Sequence, residues 1–232
     1  MKQNTLAPWA EPVPDAPYPL TADDLLAMPD DGYIYELVEG RLVRMPGSGL
    51  EASSIAMYLG SLITIFTRSR KLGIVTDGTG EYNLTQPGEA KETALIPDVA
   101  FVRADRVPPK GSREYKGAPR LAPDLVVEVV SPSQYRPEMA AKARLYLERG
   151  VRLVWIVWPA DQQVHVWRPG AASPVTTLTT ADMLDGLDVI PGFIHLVSDL
   201  FSLKPAFIPR PKGRGVKAGS PAGDDRTANG RL

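Results

Sequence analysis

A chain of 232 residues with a hydrophobic fraction of 44% and 23% charged residues is sized for one substantial core, so a single globular domain is expected. The lack of cysteine excludes disulfides, thiolate nucleophiles and thiolate zinc sites, and with only His165 and His195 present any metal must be held mainly by carboxylates. The net charge of −1 conceals an asymmetry: from Lys204 onward there are 7 bases against 2 acids, leaving 19 bases and 25 acids in residues 1–203, a balance that argues mildly against tight nucleic-acid binding by the body as a whole.

Residues 1–20 and 208–232 are rich in Pro, Gly and small polar residues and are expected to be disordered, which leaves 21–207 as the folding domain. No apolar run approaches the roughly 18 to 20 residues of a membrane helix, and the proline-rich, acidic start is unlike a signal peptide, so a cytoplasmic protein without a membrane partner is expected. Thr21 with Asp24 predicts an N-capped helix over Asp23–Met28, ended by Pro29-Asp30-Asp31-Gly32. Tyr33–Val38 and Arg41–Met45 predict a hairpin, with Gly40 of the Glu39-Gly40 pair supplying the positive φ of a tight turn. From Glu51 to Arg70, Ile55, Leu59, Leu62, Ile63 and Phe66 recur at helical spacing and predict a long helix packed on a sheet.

Sheet strands follow at Gly73–Thr76, Glu81–Thr85, Thr93–Arg103, Asp124–Ser131 and Leu153–Trp158, with a helix over Glu138–Arg149 stopped by Gly150 before the last of these. Later strands are expected near Gln163–Trp167, Val175–Leu178 and Leu187–Ile190. The order predicts an α/β fold with a central mixed sheet flanked by helices, without internal repeat. Glycine-rich phosphate loops, GxSxG elbows and helix-turn-helix patterns are absent from the sequence.

Two apolar runs each contain one acid: Asp98 in Ala94–Val102 and Glu128 in Leu125–Val130. An ionised carboxylate buried without a partner costs several kcal/mol, so such acids are paired, bound to a cation or held neutral. If the two strands are neighbours, Asp98 and Glu128 converge into an oxygen-rich site suited to Mg2+ or Mn2+. The structural alternative caps a turn with Asp98 and pairs Glu128 with an arginine. Asp124, placed at a strand start by Pro123, is expected to be more exposed. Trp155, Trp158 and Trp167 read as core residues, His165 as a solvent-facing strand residue and His195 as a structural histidine.

The segments Tyr35–Gly40, Ile96–Val99, Pro123–Ser133, Lys142–Tyr146, Gly150–Val157 and Pro191-Gly192-Phe193 together resemble the Uma-two family of restriction-endonuclease-like proteins, within the PD-(D/E)XK nuclease superfamily, across residues 20–203. The resemblance implies Mg2+-dependent hydrolysis of DNA phosphodiesters on a restriction-endonuclease-like core. Asp98 matches the PD aspartate and Glu128 the acid of the second motif, both as metal ligands and catalytic residues; Glu36 matches a further acid that adds a metal or supporting contact. The lysine usual two residues after the glutamate is replaced by Val130, and Lys142 on the following helix takes its place, to orient or deprotonate the attacking water and offset phosphate charge. The structural alternatives are an exposed helix lysine paired with Glu138 and an exposed strand Glu36. Ala52, Leu153 and Trp158 stand where the family commonly has a histidine, an acid and an aspartate. A catalytically silent nucleic-acid or protein interaction module on the same fold therefore stays open beside the nuclease, as does a homodimer. The basic tail is expected to act either as a DNA tether or as a solubilising extension.

Overall fold

The computed structural model describes residues 12–132, 134 and 136–202. Thr21 opens α1 (Ala22–Leu26) through a reciprocal cap with Asp24, and β1 (Tyr35–Val38) pairs antiparallel with β2 (Arg41–Arg44). Both turn residues of that hairpin have positive φ, Glu39 at 49° and Gly40 at 75°, the backbone that a two-residue connection between twisted strands requires. A Cβ at Gly40 would also lie 2.8 Å from Pro19 Cβ. That close approach belongs to the segment before the domain: of residues 1–20, expected to be disordered, 12–20 run beside the hairpin, with Val13 N–H donating to Leu42 O and Leu20 N–H to Gly40 O. Residues 1–11 and the tail 208–232 lie outside the described residues.

The long helix α2 (Leu50–Ser69) is followed by β3 (Gly73–Asp77), β4 (Tyr82–Asn83), β5 (Ala94–Leu95), β6 (Val99–Arg103), the short α3 (Arg113–Lys116), β7 (Leu125–Val129), α4 (Arg136–Glu148) and β8 (Leu153–Trp158). The chain then forms β9 (Gln163–Trp167), β10 (Thr176–Leu178), β11 (Met183–Asp185), β12 (Ile194–Leu196) and α5 (Val197–Phe201). A six-stranded mixed sheet runs β10-β9-β8-β7-β6-β3, with β7 and β8 parallel and joined by α4. A smaller sheet, β2-β1-β5-β4, covers part of the face that carries α4.

Side chains along the central strands alternate between two cores. Leu125, Val127 and Val129 of β7 join Ile55, Leu59 and Ile63 of α2 on one face; Val126 and Val130 join Met139, Ala143, Tyr146 and Leu147 of α4 on the other. By length and composition α2 reaches the dimensions of a membrane-crossing helix, contrary to the expectation that no apolar stretch does. Its Ile55, Leu59 and Ile63 stripe is buried against the sheet, the packing of a core helix.

Two strand expectations are corrected. Thr93–Arg103 is broken at Ile96-Pro97-Asp98 into β5 and β6, which belong to different sheets; Pro97 has no N–H to give to a ladder. Leu187–Ile190 is a turn between β11 and β12, with Leu187 at φ 51° and the N–H groups of Val189 and Ile190 on Gly186 O. Val189 and Ile190 are buried from that turn, so the apolar run reflects core filling rather than strand pairing.

Candidate active site at the end of β7

The register of β6 on β7 pairs Val99 with Val127 and Ala100 with Val126. One step further along the same register sets Asp98 opposite Glu128, and both project to the α4 face by the two-residue alternation. The break at Pro97 ends the ladder there, and the Val129 N–H donates to Asp98 Oδ2 at 2.7 Å. Asp98 thus occupies a sheet switch, with one carboxylate oxygen anchored to backbone.

Glu128 faces α4, where Lys142 and Tyr146 lie one turn apart on the same helical face. Lys142 Nζ is 3.0 Å from Glu128 Oε1 and 3.1 Å from Glu36 Oε1, and Tyr146 O–H donates to Glu128 Oε1 at 2.7 Å. Glu36 Oε1 also accepts the Ile96 N–H at 3.0 Å, which ties β1 to the residue just before the break. Lys142 is 1% exposed and Glu36 0%, so neither is the surface residue of its structural alternative. The charge partner of Glu128 is a lysine, where that alternative expected an arginine. Asp98, Glu128 and Lys142, with Gly78, Ser131 and Gln134, line a cavity of about 50 Å3, room for a water or a small ion. Glu36 is not among its lining residues.

Burial pushes the Asp98 carboxyl up to about 7, with the Glu128 charge adding to the rise and the Val129 N–H opposing it. Burial also raises Glu36, against the pull of Lys142. For Lys142 burial acts downward, but the charges of Glu128 and Glu36 outweigh it and hold the amine above its ordinary range. Lys142 is therefore an ammonium at neutral pH, and Tyr146, pushed up by burial and the same carboxylates, remains a phenol donor. Two carboxylates, Glu36 and Glu128, contact one ammonium, Asp98 adds a third carboxyl within range of their charges, and Glu36 Oε2 is buried without a hydrogen-bond partner. Such a surplus of negative charge is offset either by a proton on Asp98 or by a cation. Among the described residues no three His, Cys, Asp or Glu side chains stand together as ready metal ligands. Asp98 and Glu128 are two hard oxygen donors bordering a water-sized space, a donor set that suits Mg2+, which keeps several of its waters.

Asp124, at the other end of β7, corrects the expectation of exposure: it is 0% exposed. Its Oδ2 accepts the Arg103 N–H at 2.9 Å, Arg106 lies 2.9 Å from Oδ1 and Arg152 3.9 Å from it. Trp155 and Trp167 are core residues, as is Leu153, while Trp158 is 7% exposed and donates its indole N–H to His165 Nδ1 at 3.1 Å. His165 is half-buried rather than solvent-facing, and His195 sits 3.5 Å from the Tyr58 hydroxyl. Tyr146 is the contributor that motif reasoning passed over. Its position four residues beyond Lys142, with a hydroxyl in an apolar helix face, is the signal that points to it.

The sequence profile that matches this chain, over residues 22–199, is Uma2, described as "Putative restriction endonuclease". A solved structure similar to this one is that of "a putative nuclease belonging to DUF820" from Anabaena variabilis, with a TM-score of 0.63 and 22% identity, covering 79% of this chain and 98% of that chain. At that identity the likeness establishes the shared fold. No curated protein matches the chain.

Proposed function

From the premise that the chain belongs to the Uma2 family, we propose that it is a metal-dependent endonuclease hydrolysing DNA phosphodiester bonds at the Asp98, Glu128 and Lys142 cluster. The observation that carries this reading is the surplus of buried carboxylate around Lys142 beside a water-sized cavity, an arrangement that costs stability and that core packing alone does not call for. Asp98 and Glu128 are the residues that would hold Mg2+ or Mn2+. The cation would supply Lewis acidity toward a phosphoryl oxygen and lower the pKa of a water in the site.

The chain's own groups divide the remaining work. Lys142 is protonated, so it acts as a fixed positive charge toward the phosphoryl group and as a donor that orients water; proton removal is not its task. Glu36 pairs with Lys142 and holds the ammonium in place, and Tyr146 donates to the same Glu128 oxygen that Lys142 contacts, fixing that carboxylate. Both are positioning residues. A cavity of about 50 Å3 is too small for a nucleotide, so the scissile phosphate approaches from its mouth while the bases stay outside.

A silent interaction module on the same fold is the second reading, favoured by Ala52, Leu153 and Trp158, which leave apolar side chains where the family resemblance expects polar ones. Incubating the purified chain with supercoiled plasmid and Mg2+ or Mn2+ separates the two. Nicking or linearisation that a chelator stops and Asp98→Asn abolishes supports the nuclease. Intact plasmid under every cation condition contradicts it.

A further inference from the structure

Beside the carboxylate cluster, on the same end of β7 and β8, three side chains form an arrangement that the hydrolytic site does not use. Trp158, the last residue of β8, donates its indole N–H to His165 Nδ1 at 3.1 Å. Arg136, the first residue of α4, stacks its guanidinium 4.5 Å from the Trp158 ring and brings Nη1 to 3.3 Å from His165 Nε2. Its Nη2 is 2.5 Å from Asp161 Oδ2. An indole N–H and a guanidinium only donate hydrogen bonds, and a neutral imidazole has one acceptor nitrogen. His165 cannot accept from both neighbours.

The conflict resolves by burial. Trp158 is 7% exposed, so its indole N–H has little solvent to turn to in place of His165 Nδ1, whereas the Arg136 side chain is 51% exposed and stays hydrated. Nδ1 therefore keeps the acceptor role and the ring proton sits on Nε2, aimed at Arg136. Burial and the Arg136 charge both push the imidazole pKa down, against the pull of Asp161, which keeps the ring neutral with this single proton. The His165 Nε2–H and an Arg136 Nη1–H are then two donors whose nitrogens lie 3.3 Å apart, close enough for one anionic oxygen alongside them to accept from both.

We propose that Arg136 and His165 form a phosphate-binding subsite at the C-terminal end of β8, with the Trp158 indole fixing the imidazole tautomer and the guanidinium plane. A phosphate oxygen there accepts from both donors, and the guanidinium retains Asp161 through Nη2. That the phosphate belongs to a nucleic-acid backbone rests on the nuclease reading; the donor pair itself does not.

Histidine-ring 1H–15N spectra of the full chain, recorded without divalent cations, test this with inorganic phosphate and a short DNA duplex as probes. The expected spectrum shows His165 as the Nε2–H tautomer, and both probes shift that resonance. Arg136→Gln is expected to remove the phosphate response, weaken duplex binding about fivefold and lower the salt slope of binding by about one ion, with thermal stability unchanged. An Nδ1–H tautomer overturns the proposal, as does a resonance that neither probe moves. A shift with phosphate alone overturns the nucleic-acid assignment and leaves a free-anion site. Duplex binding that Arg136→Gln leaves unchanged, in a protein whose cleavage Asp98→Asn abolishes, defeats the subsite while the nuclease reading stands.

Discussion

The two ends of β7 hold buried acids under opposite charge balances. At the start, Asp124 is met by the Arg103 N–H, the Arg106 guanidinium and, farther off, Arg152, so this one carboxylate has a cation of its own at contact distance. At the finish, Glu128 shares one ammonium with Glu36 while Asp98 adds a third carboxylate. Burial is nearly equal, 0% for Asp124 and 5% for Glu128. Burial alone therefore does not tell the two ends apart; the local balance of cations against carboxylates does. Asp124 makes the carboxylate–arginine pair that the structural alternative assigns to Glu128, and it lies only four residues away.

The comparison breaks most visibly in activity. Asp98→Asn is expected to lower DNA cleavage by roughly a thousandfold or more, the effect of removing one essential group, while Asp124→Asn leaves the cleavage rate of the folded fraction unchanged. A cleavage assay normalised to folded protein reads both.

Stability should respond in the reverse sense. Asp124→Asn leaves the part-exposed Arg106 without its carboxylate partner and is expected to cost about 2 kcal/mol in denaturant unfolding. Asp98→Asn is expected to be neutral or stabilising at neutral pH. The folded-state value near 7 lies above the ordinary 3.8, so the native state holds the extra proton between those values. The Asp98 contribution is complete below about pH 4 and is lost as pH rises toward and through about 7; Asn removes that decline. Unfolding measured at about pH 5 and pH 8 should show a smaller difference in the variant than in the parent chain.

Lys142→Met is expected to cost about 3 kcal/mol at neutral pH by stranding Glu36 and Glu128, and to recover part of that loss in acid, where the raised Glu36 takes up a proton. A loss that does not vary with pH would point to packing of the lysine stem instead. Tyr146→Phe is the smallest change, about 1 kcal/mol in stability with a severalfold fall in cleavage, because it removes one of two partners of Glu128 Oε1 and leaves the ammonium in place.

Much of this architecture is legible in the residues themselves. The α2 stripe at Ile55, Leu59 and Ile63 and the ends of β8 and β9 follow from periodicity, since both elements bury regular apolar faces. The isolated acids Asp98 and Glu128 stand out because apolar strands make them conspicuous. What the sequence hides depends on contacts far apart in the chain. Glu36 and Lys142 are 106 residues apart, and nothing local shows that either is buried. The same holds for Asp124, whose burial depends on Arg106 and Arg152 reaching it from separate loops. The break at Pro97 was written in the sequence but overridden by the apolar run around it, and that break is what turns Asp98 into the cavity.

Calorimetric titration of Mn2+ into the full chain, in two buffers of different ionisation enthalpy near pH 6.5, tests the proposed cation site at the end of β7 most directly. A cation that displaces the proton of Asp98 should bind with release of up to one proton, tighten as pH rises toward about 7, disappear in Asp98→Asn and persist in Asp124→Asn. Absence of binding at any pH, or binding that Asp98→Asn leaves intact, would contradict a cation site between Asp98 and Glu128.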